Sequence, residues 1–252
     1  MSDIIRSKRS KRKAIRVKSY GRLYAFLVLL IIVALALLFN SRIFDVAQVT
    51  VYGAENFSHE QIIAMSGITP ETNILKLDEP KVKANIERNP YIEVLDIIRK
   101  IPDKVEIYIE ERKPAVQFEY YGSYVNADKK GNALSIEQVQ NPTYILIKGL
   151  VLREIALGKK AESIDEELTQ TYQQLLNLLQ THGLIADTEA IDLSLKNDIR
   201  LYLRDGFLLK LGTSLSLDKK FTLINPAMKE VKAQGNTGGT LDLSVEDKAF
   251  FQ

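Results

Sequence analysis

The sequence predicts an α+β protein that is held in a membrane by one N-terminal helix. Three observations support this fold class: an apolar run near the N-terminus, a first region with the order β-α-α-β-β, and a second region of short strands with two helices. The chain has 252 residues, enough for two ordinary domains after the apolar run. The predicted segments are a basic cytoplasmic arm at 1–22, a transmembrane helix at 23–39, an α+β domain at 43–112, a mixed β domain with two flanking helices at 113–245 and a tail at 246–252.

The apolar run begins at Leu23 and ends at Phe39, and it contains no charged residue, proline or glycine. A helix over these positions is roughly 26 Å long, slightly less than a hydrocarbon core of about 30 Å, and Tyr20, Arg22 and Arg42 can reach the two interfaces. The alternative is a cleaved signal peptide, because the triplet ALA at 34–36 has the small-x-small form of a cleavage site. Three more apolar residues follow that triplet, so the sequence favours an uncleaved anchor.

Basic residues are concentrated before the apolar run. Residues 1–22 hold nine Lys or Arg and one Asp, a net charge of +8, and the chain total of +2 therefore leaves −6 for the remaining residues. By the positive-inside rule the N-terminus stays in the cytoplasm and the later residues lie outside. A basic leader beside a membrane fits topology and anionic lipid better than nucleic acid, so no nucleic-acid partner is predicted. The absence of cysteine excludes disulfides, a thiolate nucleophile and zinc–thiolate sites.

The first outside region alternates strands and helices over about seventy residues. Ser58 and Gln61 form a capping-box pattern, Gly67 suits the end of that helix, and Asp78 is a good N-cap for the next. The predicted elements are a strand at 43–52, helices at about 58–66 and from 78 to before Asn89-Pro90, and strands at 92–100 and 104–111. The predicted core is Val49, Val51, Ile62, Val82, Ile86, Val105, Ile107 and Ile109. This order gives a small sheet covered by two helices on one face.

The second region contains short strands and two longer helices. Ser163 and Glu166 form a second capping-box pattern before an apolar stripe that starts at Ile164, and Gly183 closes that helix. Asp218 is the predicted cap of the last helix, which runs to about Ala233. The predicted strands are 117–121, 124–126, 144–147, 190–195, 199–204, 207–211 and 240–244. The last strand ends the predicted domain.

Catalytic and metal-binding patterns are weak. His59 and His182 have no partner at metal-ligand spacing, and the nucleophile-elbow, P-loop and dinucleotide motifs are absent from the sequence. Acid pairs at 110–111, 165–167 and 246–247 could suggest a glycosidase that acts on the cell wall. Adjacent residues on a strand point to opposite faces, however, whereas glycosidase carboxyls must lie about 5 to 9.5 Å apart across a cleft. The sequence therefore predicts no enzyme, no metal and no cofactor.

Several motifs together carry a resemblance to a known family. They are VTVYG at 49–53, SHEQI at 58–62, NILKLD at 73–78, NPYI at 89–92, KVEIYIEERKPA at 104–115, the stretch YVNADKKG at 124–131, ID at 191–192, RDG at 204–206, LG at 211–212 and GTLDLS at 239–244. In this order, behind a basic leader and one apolar run, they resemble the POTRA domain and β domain of the FtsQ/DivIB cell-division family.

The resemblance implies a function and partners. It implies a non-enzymatic scaffold of the divisome, anchored in the cytoplasmic membrane at the division septum, which holds FtsL-like and FtsB/DivIC-like bitopic proteins outside the membrane. Through them it would link division-ring assembly to the septal peptidoglycan synthases. The alternatives are an exported cell-wall enzyme and a POTRA-type translocation chaperone.

The predicted partner site is the last strand of the second domain. Because no later element is predicted to cover its outer edge, free N–H and C=O groups there can accept a strand from another chain. The resemblance implies that the FtsB/DivIC-like partner binds at this end of the domain, together with the helix at 218–233. The predicted partner-binding residues are Thr240, Leu241, Asp242, Leu243, Ser244, Val245 and Lys248.

Overall fold

The computed structural model describes residues 20–245 and 248–252; for Arg22 it describes the backbone alone. Most of the predicted basic arm at 1–22 and the acid pair at 246–247 therefore lie outside the described residues. The first helix, α1 (Gly21–Phe39), contains the apolar run. Within the described part of the chain, no helix meets the combined length and apolarity required of a membrane span.

A three-stranded sheet with two helices follows α1. Its strands are β1 (Gln48–Tyr52), β2 (Ile92–Lys100) and β3 (Lys104–Glu111), in the order β1-β3-β2, and its helices are α2 (His59–Ser66) and α3 (Glu79–Ile86). β3 pairs in parallel with β1 and antiparallel with β2. The predicted order β-α-α-β-β is therefore present, and the first strand begins later than predicted.

The late start of β1 has a local cause. Residues Arg42–Phe44 form a turn of 3₁₀ helix, in which the Ser41 hydroxyl accepts a hydrogen bond from the backbone N–H of Ile43. A side chain that bonds nearby backbone in this way competes with strand pairing. The predicted strand at 43–52 is therefore wrong in its first five residues.

The predicted helix caps of the first unit are confirmed. Ser58 and Gln61 form the reciprocal capping box of α2, and Gly67 ends that helix in the left-handed conformation with φ 72°. Asp78 accepts a hydrogen bond from the backbone N–H of Lys81 and caps α3. Seven of the eight predicted core residues are buried, and Val49 is half-buried.

The described residues after β3 form a nine-stranded sheet with two helices. Its order is β12-β11-β10-β9-β8-β7-β4-β5-β6, and it carries helices α4 (Glu166–Thr181) and α5 (Leu217–Ala233), which contribute to one apolar core. The strands are β4 (Pro114–Tyr120), β5 (Ser123–Asp128), β6 (Ala133–Glu137), β7 (Ile145–Lys148), β8 (Thr188–Asp192), β9 (Ile199–Leu203), β10 (Phe207–Gly212), β11 (Gly239–Asp242) and β12 (Phe250–Phe251). β6 and β12 were not predicted, and β12 lies in the predicted tail.

The starts of both long helices differ from prediction. Asp165, not Ser163, caps α4, because the Ser163 hydroxyl instead donates to the carbonyl of Val151 and accepts from the N–H of Asp165. Ile164 consequently lies before the helix and is 63% exposed rather than part of the apolar stripe. For α5 the N-cap is Ser216, in the left-handed conformation, rather than Asp218.

Candidate functional site

The candidate site is the edge of the large sheet near the C-terminus. β11 pairs in parallel with β10, so that Phe207 lies opposite Gly239 and Leu209 opposite Leu241. Leu241 is 1% exposed and belongs to the core beneath α4 and α5. The side chain of Leu241 is therefore a core contact on the inner face of the sheet.

The outer edge of β11 is not free. β12 pairs antiparallel with it, and Thr240 and Gln252 exchange two backbone hydrogen bonds of 3.0 and 2.9 Å. The expectation that no later element covers this edge is therefore wrong. The physical reason is apolar burial: the half-buried ring of Phe251 lies 6.3 Å from the ring of Phe207, in space that Gly239 leaves open by having no Cβ.

β12 is the terminal strand of the large sheet on the side of β11. Since Thr240 and Gln252 bond each other mutually, strand alternation turns the N–H and C=O of Phe251 away from β11, toward the outside. The neighbouring Phe250 lies opposite Asp242, on the face of the sheet away from the Phe251 ring, and is 49% exposed. No strand formed by residues 20–245 and 248–252 pairs with this side of β12, so a free backbone edge and an exposed aromatic ring lie side by side. Phe250 and Phe251 were not among the predicted site residues.

The predicted site residues after β11 separate into two groups. The N–H of Leu243 donates to the carbonyl of Lys210 at 2.8 Å and the side chain is fully buried, so Leu243 faces inward. Ser244 turns the chain, because its N–H and hydroxyl both donate to Oδ1 of Asp242, at 2.8 and 2.5 Å. Ser244, Val245 and Lys248 are all exposed, with Val245 at 51%, and are therefore open to a partner.

Asp242 connects the turn to the neighbouring strand. Burial alone would raise the pKa of its carboxyl, but the hydrogen bonds from Ser244 and the charge of Lys210 hold the pKa below its ordinary value. The Lys210 Nζ lies 3.9 Å from Oδ2 of Asp242. Asp242 is therefore ionised at neutral pH and orders the chain that leads toward β12.

Helix α5 supports this edge from the inner face. Phe221, Ile224 and Met228 are among its buried residues and lie in the same core as Leu241. Near the end of the helix, Nζ of Lys232 lies 2.6 Å from a carboxylate oxygen of Asp205 and 5.6 Å above the ring of Phe207. The helix thus fixes β10 and β11 in place, whereas the predicted role of its exposed residues in partner binding stays a prediction.

The residues considered for chemistry are dispersed. His59 is exposed in the first turn of α2, and His182 caps the end of α4, 5.7 Å from the ring of Phe221. Glu110 is exposed, whereas Glu111 is buried and accepts hydrogen bonds from residues 55–57. Over residues 20–245 and 248–252 there is no group of three His, Cys, Asp or Glu placed to hold a metal ion.

Comparison with known proteins gives a family match within the first unit. Residues 44–112 match the family described as POTRA domain, FtsQ-type. This range covers β1, α2, α3, β2 and β3, the unit with sheet order β1-β3-β2.

Curated relatives extend the similarity over most of the chain. Cell division protein DivIB of Clostridium botulinum (strain Loch Maree / Type A3) is 27% identical over 244 residues, which cover 96% of this chain and 93% of the relative. DivIB of Bacillus subtilis (strain 168) is 26% identical over 81% of this chain and 75% of its own length. Cell division protein FtsQ of Syntrophotalea carbinolica is 30% identical over 63% of this chain and 55% of its own length.

Proposed function

Because the chain belongs to the FtsQ/DivIB family of cell-division proteins, we propose that it acts in bacterial cell division as a non-enzymatic scaffold of the divisome. In this role it binds small bitopic proteins of the FtsL-like and FtsB/DivIC-like kinds outside the membrane. Through them it recruits the septal peptidoglycan synthases to the division septum. The relatives of this chain carry cell-division names, and these support the role in division.

The observation that carries the scaffold proposal is the open edge of β12. An edge strand supplies backbone hydrogen bonds to any extended segment, and side chains beside it supply specificity. Here the outward N–H and C=O of Phe251 offer the bonds, and the exposed ring of Phe250 offers apolar contact area. Val245 and Lys248, which precede β12 in the chain, are also exposed. We assign the added strand to the FtsB/DivIC-like partner, and its place is beside β12 rather than beside β11.

The anchor of the scaffold is α1 in this proposal. Its large apolar side chains are exposed; Leu37, for example, is 70% exposed and Tyr24 66%. Exposed apolar area of this extent is stable only against lipid or another apolar surface. The far end of α1 also contacts the first unit, since the Asn73 amide donates to the carbonyl of Phe39 at 3.0 Å and Lys76 donates to the side chain of Asn40 at 2.7 Å. The first unit would then lie directly on the outer surface of the membrane.

The test of the partner edge is capture of the partner from membranes. Phe250→Lys places a charge beside the open edge, where the side chain is exposed, and we expect capture of the FtsB/DivIC-like protein to fall at least tenfold while folding is unchanged. The matched control is Ile136→Lys on β6, the strand at the opposite edge of the same sheet, because Ile136 is 48% exposed and Phe250 49%. If both variants capture as much partner as the unaltered protein, the partner does not bind at β12.

A further inference from the structure

We propose that a cleft between α4 and two lysine-bearing turns of the large domain binds an anionic polymer that carries phosphate groups. The turns are DKKG at 128–131 and GKKA at 158–161. The cleft has a volume of about 360 Å³, and its lining consists of Lys129, Lys130 and Lys160, four side chains that carry a carboxamide, and one leucine, with no acidic residue. Every polar residue of this lining can donate a hydrogen bond.

The backbone brings the two turns together. Ala133 donates its N–H to the carbonyl of Lys159 at 2.8 Å, and Ala161 donates to the carbonyl of Gly131 at 2.9 Å. Asn132 and Lys160 also form an isolated antiparallel bridge. The pair Lys129 and Lys130 and the pair Lys159 and Lys160, which are thirty residues apart in the chain, are therefore neighbours on one surface.

Both turns are fixed to the same buried side chain. The hydroxyl of Tyr172 in α4 donates to the carbonyl of Ala161, and a Cβ at Gly131 would meet the Tyr172 ring at 3.0 Å. The first turn is closed by Asp128, whose Oδ1 accepts from the N–H groups of Lys130 and Asn132 at 2.8 and 2.9 Å. Because the turns are held by the core, the lysine stems leave from a fixed backbone, and ordering them on a ligand costs less conformational entropy.

Two of the three lysines that line the cleft form no ion pair among the described residues. Lys130 pairs with Glu93 at 2.9 Å, whereas none of the ion pairs formed by the described residues includes Lys129, Lys159 or Lys160. The Nζ of Lys160 donates a long hydrogen bond, of 3.5 Å, to Oε1 of Gln173, which is a neutral group. The side-chain amide of Gln174, in the lining, donates to a carboxylate oxygen of Asp218 at 3.1 Å. Lys129 and Lys160 are thus the two lining lysines without an ion pair among the described residues. The residues after position 22 carry a net charge of −6.

The chemistry of the lining selects the ligand class. Lysine ammonium groups bind phosphate as point charges, and glutamine and asparagine amides donate to phosphate or sugar oxygens. One phosphate with its neighbouring sugar-sized group fits the volume of the cleft. Lys159, next to Lys160 in the chain but outside the lining, can contact the next charge along a polymer.

A free polymer fits this position better than a lipid headgroup. The start of β1 lies near the end of α1, because Asp45, three residues before β1, forms an isolated antiparallel bridge with Asn73, and the amide of Asn73 donates to the carbonyl of Phe39 at 3.0 Å. The other end of β1 leads to Gly53, which lines the same surface pocket as Lys129 and Lys130. A five-residue strand spans roughly 17 Å, so the lysine turns lie at the end of the first unit that is remote from α1.

The experiment measures binding of linear inorganic polyphosphate to the full chain in non-ionic detergent. We expect binding that weakens as sodium chloride rises, because exposed charge pairs are screened by salt. The double variant Lys129→Gln with Lys160→Gln should bind at least tenfold more weakly. The control is Lys81→Gln with Lys229→Gln, which removes the same charge from two exposed lysines outside the cleft and should change the affinity less than twofold.

Three results would overturn the proposal. One is that the unaltered chain does not bind polyphosphate. Another is an equal loss of affinity in the two double variants, which would make the binding a property of net charge alone. The third is binding of monomeric dihexanoyl-phosphatidylglycerol, and not of polyphosphate, that depends on Lys129 and Lys160, which would assign the cleft to lipid headgroups. Circular dichroism of each variant verifies folding.

Discussion

Removing the charge of Glu111 should open the chain segment that leads from β1 into α2. Oε1 of this carboxylate accepts backbone N–H bonds from Glu55, Asn56 and Phe57 at 2.7, 2.8 and 3.0 Å, and Oε2 accepts from the Asn56 amide at 2.7 Å. Glu111 is 9% exposed. Glu111→Gln keeps the size of the side chain and removes the charge, so the change isolates the ionic part of these four bonds.

The magnitude follows from the bond types. Hydrogen bonds to a charged acceptor contribute about 1 kcal/mol more than neutral ones, which gives about 4 kcal/mol for four bonds. Burial of the carboxylate opposes this gain, because desolvation penalises the charged form. We therefore expect a loss of about 2 to 3 kcal/mol, which is roughly a 30- to 150-fold larger equilibrium constant for local opening.

The pH dependence gives a second readout of the same group. Burial alone would raise the pKa of Glu111, but the hydrogen bonds from residues 55–57 hold the pKa below its ordinary value. A depressed pKa stabilises the fold above the unfolded value of about 4.3, and this stabilisation is lost as the pH falls through the folded pKa. The difference between the unaltered chain and Glu111→Gln should therefore be full at pH 7 and shrink below about pH 4.

Hydrogen exchange measured by mass spectrometry checks both statements on the full chain. The readout is protection of the amides at 55–57 and in β3, at pH values on both sides of 4. Glu110→Gln is the control, since Glu110 is the exposed neighbour on the same strand. Protection that is the same in the unaltered chain and in Glu111→Gln at pH 7, or a difference that does not change with pH, would refute the reasoning.

Three further predictions concern the core, the last strand and the anchor. Ile107→Ala should cost about 2 to 5 kcal/mol in the free energy of unfolding because Ile107 is fully buried, whereas Ile101→Ala, at 65% exposure, should cost less than about 0.5; equal costs would contradict the strand phase. Leu243→Pro removes the N–H that bonds Lys210, so the melting temperature should fall, and an unchanged melting temperature with lost partner capture would contradict this. Replacing α1 by an unrelated apolar helix should preserve growth in a depletion strain; filamentous cells despite correct membrane insertion would disprove it.

The sequence was most informative where short-range chemistry decides the structure. Ser58 with Gln61, Gly67 and Asp78 each form the cap that their spacing predicted, since the partners of a cap lie within one helical turn. The same reasoning failed at Ser163, because its hydroxyl bonds Val151, twelve positions away in the chain. A motif that satisfies the capping pattern is thus not decisive when a remote carbonyl competes for the hydroxyl.

The candidate edge shows a different limit. β12 has only two residues, and its position depends on Phe251 packing near Phe207 and over Gly239, more than ten residues earlier. A pattern of alternation cannot be read from two residues. The position of the lysine turns could not be predicted either, because thirty residues separate the turns in the chain and they are joined by backbone hydrogen bonds and by contacts with Tyr172.

If α1 is the membrane anchor, the connection between α1 and β1 sets the distance of the outer domains from the membrane. Only residues 40–47 join the two elements, and they are bonded to the first unit: Val46 donates to the carbonyl of Thr72, Ala47 to that of Asp103, and Asp45 bridges Asn73. Because these bonds hold residues 40–47 against the first unit, the fold, and not a flexible linker, would set the distance of each outer surface from the lipid. A partner that is also anchored in the membrane would then diffuse in the membrane plane. It could bind only if its binding segment lies at the same distance from the membrane as the surface that it contacts.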